Sequence, residues 1–191
     1  MDKTLTIGFA FTGSYCTFSK IFPVLEEISK SAEVIPVFSN NSAETDTRFG
    51  SSAEFVERAE KVCGKKAITT IAEAEPIGPK KLIDVLVIAP CTGNTIAKLA
   101  NGIADTTVTL AAKSQLRNNR PVIIAVSTND GLGANAVNIG RLLARKNIYL
   151  VPFGQDDCIE KENSVVADFK QIPATIAAAL KKRQVQPVLI R

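Results

Sequence analysis

Residues 89–106 read APCTGNTIAKLANGIADT. Between Pro90 and Thr95 the chain gathers a thiol, two hydroxyls, an amide and a glycine, and the helical pattern that follows carries no charge before Lys98. Such a turn can present backbone N–H groups, the Thr92 and Thr95 hydroxyls and the Asn94 amide to a phosphate or a polar heterocycle, and Gly93 lets the main chain come close to it. Comparable groups follow four other apolar runs: Thr12, Gly13, Ser14 and Tyr15; Ser39, Asn40 and Asn41; Ser127, Thr128, Asn129 and Asp130; Gly154, Gln155, Asp156 and Asp157. Singly, Ser14 or Thr106 can be a helix cap, and Asn40, Asn129 or Gly93 a turn former. Together they suggest a binding rim if the fold sends them to one edge.

The elements that would do so are legible. Leu5 to Phe11, Val34 to Phe38, Val85 to Ala89, Val122 to Val126 and Ile148 to Phe153 are short, almost continuously apolar and rich in β-branched residues. Each reads as a strand buried on both faces. Between them lie helical spacings: Phe18 to Ser31, with Ile21, Phe22, Leu25 and Ile28 on one face; Ala53 to Val62; Thr106 to Leu116; Ala136 to Lys146, carrying Val137, Ile139, Leu142 and Leu143; and Pro173 to Arg183. The alternation predicts an α/β fold, a doubly wound parallel sheet with helices on both faces, in one domain spanning 1–191. In such a sheet ligands bind outside the carboxyl ends of the strands, where the five polar turns lie. Asn40 to Ser52 reads equally as a solvated or a binding loop, and Ile68 to Lys81 as irregular.

Composition narrows the chemistry. The 191 residues carry 23 Lys and Arg against 19 Asp and Glu, and the cations are scattered, with no basic stripe interleaved with aromatics and no tryptophan. Nucleic acid is therefore disfavoured as a partner. Cys16, Cys63, Cys91 and Cys158 lie far apart and histidine is absent, so reduced thiols and no metal site are expected. The N-terminus MDKTLTIGFAF enters a strand-like run at once, without the pattern of a signal peptide, and no segment approaches a membrane span. A cytoplasmic location follows as the expectation. Without histidine, proton transfer falls to Asp, Glu, Lys, Tyr, Cys, a cofactor or a partner.

Two nucleotide motifs fail. GFAFTGSY has the Gly8 and Gly13 spacing of a P-loop, but Ser14-Tyr15 replaces the Lys-Ser/Thr pair. The same stretch lacks G-x-G-x-x-G, and Ser39 stands where a dinucleotide fold ends its second strand in an acid. A mononucleotide such as FMN fits better, because its phosphate needs only N–H groups and hydroxyls at a helix start.

APCTGNTIAKLANGIADT resembles the Asn-Thr turn of the flavoprotein superfamily that includes phosphopantothenoylcysteine decarboxylases, peptidyl-cysteine decarboxylases and flavin prenyltransferases. IGFAFTGSYCTFSKIFPVLEEI is similar to that superfamily's first strand, phosphate turn and helix. With NNSAETDTRFG, KSQLRNNRPVIIAVSTNDGLG and VPFGQDDCIEKENSVVADF added, the chain resembles, end to end, the dipicolinate synthase B-subunit family. The resemblance implies a Rossmann-like, oligomeric flavoprotein with FMN where three loops meet. Gly13, Ser14 and Ser39 would serve the phosphate and ribityl end. Thr92, Gly93, Asn94 and Thr95 would approach the ring, and Ser127 with Asn129 would close the site. It also implies a partner A subunit resembling a nicotinamide-dependent oxidoreductase that carries NAD(P), with oxidation of dihydrodipicolinate to dipicolinate in the mother-cell cytoplasm during sporulation. The chain departs from the decarboxylases in lacking their histidine, and their Pro-Ala-Met-Asn loop corresponds to Val126, Ser127, Thr128 and Asn129, which keeps only the asparagine.

A dicarboxylate substrate calls for fixed positive charge. Arg48, Arg117 and Arg120 are the candidate carboxylate partners; for Arg117 and Arg120 the helix-end reading comes first, and for Arg48 the two readings stand level. Cys91 is either a thiol beside the site or a small core residue. Two other functions stay open: a flavin-dependent lyase or transferase acting on another small acid, and a non-catalytic subunit that positions the A subunit.

Overall fold

A computed structural model of the chain describes residues 4–190. Met1, Asp2 and Lys3, part of the N-terminal stretch read above, lie outside the described residues, as does Arg191. Four strands pair in parallel in the order β2 (Glu33–Phe38), β1 (Thr6–Phe11), β3 (Val85–Cys91) and β4 (Val122–Thr128), and β5 (Ile148–Leu150) adds in parallel to the first half of β4. From β1 the chain steps outward to β2 and then crosses back to β3. The turns leaving the carboxyl ends of β1 and β3 thus run to opposite faces and leave a crevice between them.

Helices on both faces explain why β1 and β3 are buried at every residue. One face is covered by α1 (Phe18–Ile28) and α8 (Ile172–Leu180), with α3 (Ser52–Cys63) beside α1 and β2. The other carries α6 (Thr107–Arg117), flanked by α5 (Gly93–Ala100), α7 (Ala136–Leu143) and the short α4 (Ile71–Ala74). The apolar stripe Ile21, Phe22, Leu25 and Ile28 of α1 is buried as its spacing predicts. Local chemistry sets the helix ends. The Ser51 hydroxyl accepts from Glu54 N while Glu54 accepts from Ser51 N, and Gly64, at φ 61°, supplies the left-handed residue that stops α3. Thr106 and Thr109 close the same reciprocal cap on α6.

An aromatic cluster braces the first turn from below. The Phe11 ring stacks on Phe38 at 4.6 Å, Phe18 meets the edge of Phe55 at 4.9 Å, and Tyr15 lies 5.4 Å from Phe18. These contacts tie β1, β2, α1 and α3 together directly beneath residues 12–17.

The structure departs from the sequence reading in several places. The run Ile148 to Phe153 is two strands, because the chain turns at Val151 and Pro152, and a proline cannot donate to a continuing ladder. The expected loop Gly154 to Asp157 belongs to β6 (Phe153–Asp157), which pairs antiparallel with β7 (Lys161–Ala167). Residues 165 and 166 of β7 pair antiparallel with Thr128 and Ser127 at the end of β4, so a hairpin extends the sheet over its carboxyl edge. The polar segment Asn40 to Ser52 opens with a short helix, α2 (Asn40–Glu44), capped by the Ser39 hydroxyl. On α7 only Ile139 and Leu142 are buried; Val137 and Leu143 are 57% and 42% exposed.

Further segments lie alongside the outer strands. Phe38 N donates to Ile68 O at 2.8 Å and Ile68 N to Pro36 O at 2.9 Å. The Gln184 amide brackets Leu150, accepting from its N–H at 2.9 Å and donating to its carbonyl at 2.7 Å. Phe153 N donates to Val188 O, and Ile190 N to Phe153 O, both at 3.0 Å. Among the described residues no helix is long and apolar enough to cross a membrane, and no cluster of His, Cys, Asp and Glu could hold a metal ion.

Candidate functional site

Two adjoining cavities open at the carboxyl edge of the sheet. The larger, about 560 Å³, is lined by the first turn, Thr92 and Gly93, residues 127–129, Phe49, and Asp156, Lys161 and Ser164 of the hairpin. The smaller, about 220 Å³, is lined by Thr12, Ser39, Asn41, Asn94, Thr95, Lys98 and Thr106. Gly13 and Thr92 border both. All nine residues proposed from the sequence for the cofactor, namely Gly13, Ser14, Ser39, Thr92, Gly93, Asn94, Thr95, Ser127 and Asn129, line one cavity or the other.

Hydrogen bonds set the spacing of these turns. Thr12 Oγ1 donates to Pro90 O at 2.7 Å and accepts from Thr92 N at 3.1 Å, joining the turns after β1 and β3. The Ser14 and Ser127 hydroxyls, 2.8 Å apart, link the turns after β1 and β4. Ser39 N donates to Phe11 O at 3.0 Å, and the Ser42 hydroxyl donates to the same carbonyl at 2.9 Å, anchoring the turn after β2. The Tyr15 hydroxyl donates to Asn41 O at 2.6 Å, and burial raises its pKa, so it acts as a neutral donor at physiological pH.

The first turn of α5 is open to the cavities. Its N-cap, Thr92, makes no side-chain cap; that hydroxyl lies 3.2 Å from Thr95 Oγ1 instead. The backbone donors that begin the helix are left for a ligand, and the helix dipole favours a negative group there. Gly93 is required by what lies behind it. A Cβ at this position would come within 2.6 Å of both Asn135 Nδ2 and Thr128 Oγ1 and 2.8 Å from Asp130 Oδ1. These three side chains form one cluster: the Thr128 hydroxyl donates to Asp130 Oδ1, and Asn135 Nδ2 donates to Asp130 Oδ2 at 2.8 Å.

The structure does not bring all expected cations to this edge. Arg120 pairs with Asp84 at 3.3 Å and donates to the Lys81 and Ile83 carbonyls, where β3 and β4 begin. Arg117 lies over Gly78 and borders a separate cavity with Lys113 and Arg145. Both are therefore remote from the carboxyl edge, in the helix-end role. Arg48 stacks its guanidinium 4.9 Å from the centre of the Phe49 ring, which itself lines the larger cavity. Cys91 is fully buried, and its burial raises its thiol pKa far above the ordinary value, which makes it a core residue. Sequence reasoning missed Lys20, Lys161, Ser164, Val165 and Val166, which all line the larger cavity. Lys20 sits on α1 as an ordinary exposed helix lysine, and the β7 stretch KENSVVA has no strict alternation that would mark a half-buried strand.

Residues 1–181 match the Flavoprotein family. The chain belongs to the flavoprotein family. This flavoprotein is 50% identical over 189 residues to the B subunit of dipicolinate synthase from Bacillus subtilis, covering 98% of this chain and 94% of that protein. The crystal structure of the corresponding dipicolinate synthase B subunit from Bacillus halodurans is 44% identical and superposes with a TM-score of 0.90 over 98% of this chain and 96% of that one. Burkholderia xenovorans DmrB, described in complex with FMN as a cubic protein cage for redox transfer, shares the fold at 19% identity, with a TM-score of 0.69 over 95% of this chain and 98% of its own. The flavoprotein's donor set suits a flavin mononucleotide. Hydroxyls, amides and free helix-start N–H groups surround cavities of ligand size, and Lys98, the one cation of the smaller cavity, is held by Asp105 at 2.8 Å.

Proposed function

We propose that this flavoprotein is the B subunit of a dipicolinate synthase, a single flavin-binding domain that works with an A subunit to oxidise dihydrodipicolinate to dipicolinate during sporulation. The observation that carries the reading is 50% identity to a dipicolinate synthase B subunit over 98% of the chain. The reaction removes a hydride and a proton from the substrate ring, and aromatisation drives it. Gly13, Ser14 and Ser39 would hold the phosphate and ribityl end of FMN, Thr92 to Thr95 the ring edge, and Ser127 and Asn129 the open side. FMN bound there would supply a two-electron hydride acceptor, with NAD(P) on the A subunit as its redox partner.

The residues that line the larger cavity orient the substrate and handle its proton. Asp156 is the one carboxylate among them, and Lys161 lies 3.4 Å from it. An aspartate there can take the ring proton. The absence of histidine counts against the decarboxylase route of other flavoproteins. The DmrB cage and the subunit name of the two synthase relatives support a homo-oligomer that also binds an A subunit.

The test is to purify the chain, record its visible spectrum, titrate it with FMN by fluorescence quenching, and assay oxidation with and without the A subunit. The reading expects saturable quenching and turnover only when both subunits are present. A chain indifferent to FMN that still supported turnover by A would be a positioning subunit, and the flavin assignment would be withdrawn.

A further inference from the structure

The larger cavity is electrostatically unlike the smaller one. Two ammonium groups line it, Lys20 from the first turn of α1 and Lys161 from the start of β7, against the single carboxylate Asp156. Asp156 faces Lys161 at 3.4 Å, with both side chains partly exposed, so this pair is weak and exchangeable. Lys20 has no acidic partner among the described residues. The same cavity is lined by neutral donors: the Ser14 and Ser127 hydroxyls at 2.8 Å from each other, and Ser164, whose hydroxyl donates to Asn129 Oδ1 at 3.4 Å. Val165 and Val166 add apolar lining. A cavity lined by two cations, several hydroxyls and apolar side chains suits a small planar ring that bears two carboxylates.

Resting on the function proposed above, we propose that Lys20 and Lys161 are the two carboxylate-binding residues of a dianion subsite, and that Asp156 holds the place of one substrate carboxylate on Lys161 until the ligand arrives. The exchange explains selectivity for two charges over one. A ligand with two carboxylates gains Lys20 and releases Lys161 from Asp156, whereas a monocarboxylate leaves one cation unused. Displaced from Lys161, the Asp156 carboxylate becomes available to accept the proton that leaves the ring.

The experiment uses the full-length chain, with and without FMN, titrated calorimetrically with dipicolinate and with picolinate, which has one carboxylate fewer. Lys20→Gln and Lys161→Gln should each weaken dipicolinate binding by roughly 10- to 100-fold, as expected for loss of a hydrogen bond to a charged group. Picolinate should bind the parent chain more weakly than dipicolinate and respond to only one of the two substitutions. FMN affinity should be unchanged in both variants, and near-native circular dichroism verifies that each is folded. Equal affinity for the two acids, or a Lys20→Gln variant that loses FMN rather than dipicolinate, would overturn the subsite and assign Lys20 to the cofactor phosphate. Failure of the parent chain to bind FMN would instead remove the flavin reading, and the dipicolinate titrations would still decide the subsite.

Discussion

Replacing Gly93 by alanine tests how the α5 turn is held. The added methyl would lie 2.6 Å from Asn135 Nδ2 and Thr128 Oγ1 and 2.8 Å from Asp130 Oδ1, closer than side-chain atoms pack, so something must move. None of the three atoms is the loose end of a flexible chain, since they hold one another through the Asp130 carboxylate. The turn can shift outward, at the ~1–3 kcal/mol typical of overpacking. Alternatively the cluster opens and forfeits a charge-assisted hydrogen bond of about 1.5–3 kcal/mol. Alanine recovers at most about 1 kcal/mol of helix propensity, less at the first helical position than in the middle. The net expectation is roughly 1–2 kcal/mol of lost stability, together with weaker FMN binding because the turn's donors have moved. Gly140 provides the control. It lies inside α7 with nothing within 4 Å of where its Cβ would be, so Gly140→Ala should gain up to ~1 kcal/mol. Urea unfolding of both variants, with FMN quenching titrations alongside, reads the contrast. If Gly93→Ala were as stable as Gly140→Ala and bound FMN like the parent, the packing argument for this turn would be wrong.

Other outcomes follow from the same geometry. Asn94 is exposed at the mouth of the smaller cavity, so Asn94→Ala should lower FMN affinity while leaving the urea midpoint within about 0.5 kcal/mol of the parent; unchanged flavin content in that variant would remove Asn94 from the site. Alkylation at neutral pH should label the exposed Cys16 and Cys158 quickly, and spare Cys91 and Cys63, whose thiol is pushed up to about 11 by burial. FMN or dipicolinate should protect Cys16, which lines the larger cavity, and not Cys158, as peptide mapping by mass spectrometry would reveal. Asp157 accepts from the N–H groups of Glu160 and Ile159, both at 3.0 Å, and these bonds lower its pKa. A depressed carboxylate pKa means that the ordering it contributes is complete above the ordinary aspartate range and is lost as pH falls through the folded value. The protection of the Ile159 and Glu160 amides, each exchange rate taken against its intrinsic rate at the same pH, should therefore hold steady at neutral pH and fall only in acid, and Asp157→Asn should show the low protection throughout.

The sequence reading succeeded where a single physical rule governs the outcome. Continuous apolar runs such as Val85 to Ala89 had to be strands covered on both faces, and the helical spacing of Ala53 to Val62 marked α3. The polar turns could be placed together because the carboxyl-edge rule needs only strand direction. The hairpin escaped because β6 carries Gly154, Gln155, Asp156 and Asp157, residues with little strand preference that pair here only because β7 returns beside them. With the hairpin went Lys161, Ser164 and the valines of the larger cavity. Val137 and Leu143 have helical spacing, yet α7 meets its neighbours along a strip narrow enough to bury only Ile139 and Leu142. Arg117 and Arg120 took the helix-end role that the sequence reading favoured, because the turn that precedes β4 lies at the amino edge, a full strand length from the site.

The segments alongside the outer strands have a further meaning. A sheet normally leaves free N–H and C=O groups along its margins, and these invite another chain to add a strand. Here the β2 margin is met by Ile68 and interrupted by Pro36, the Leu150 peptide groups of β5 are taken by the Gln184 amide, and β6 is paired by Val188 and Ile190. Growth by strand addition is thereby blocked at each of these points. Association with a second copy or another subunit is left to helix faces, loops and the cavity mouth, where side chains rather than backbone decide which chain fits.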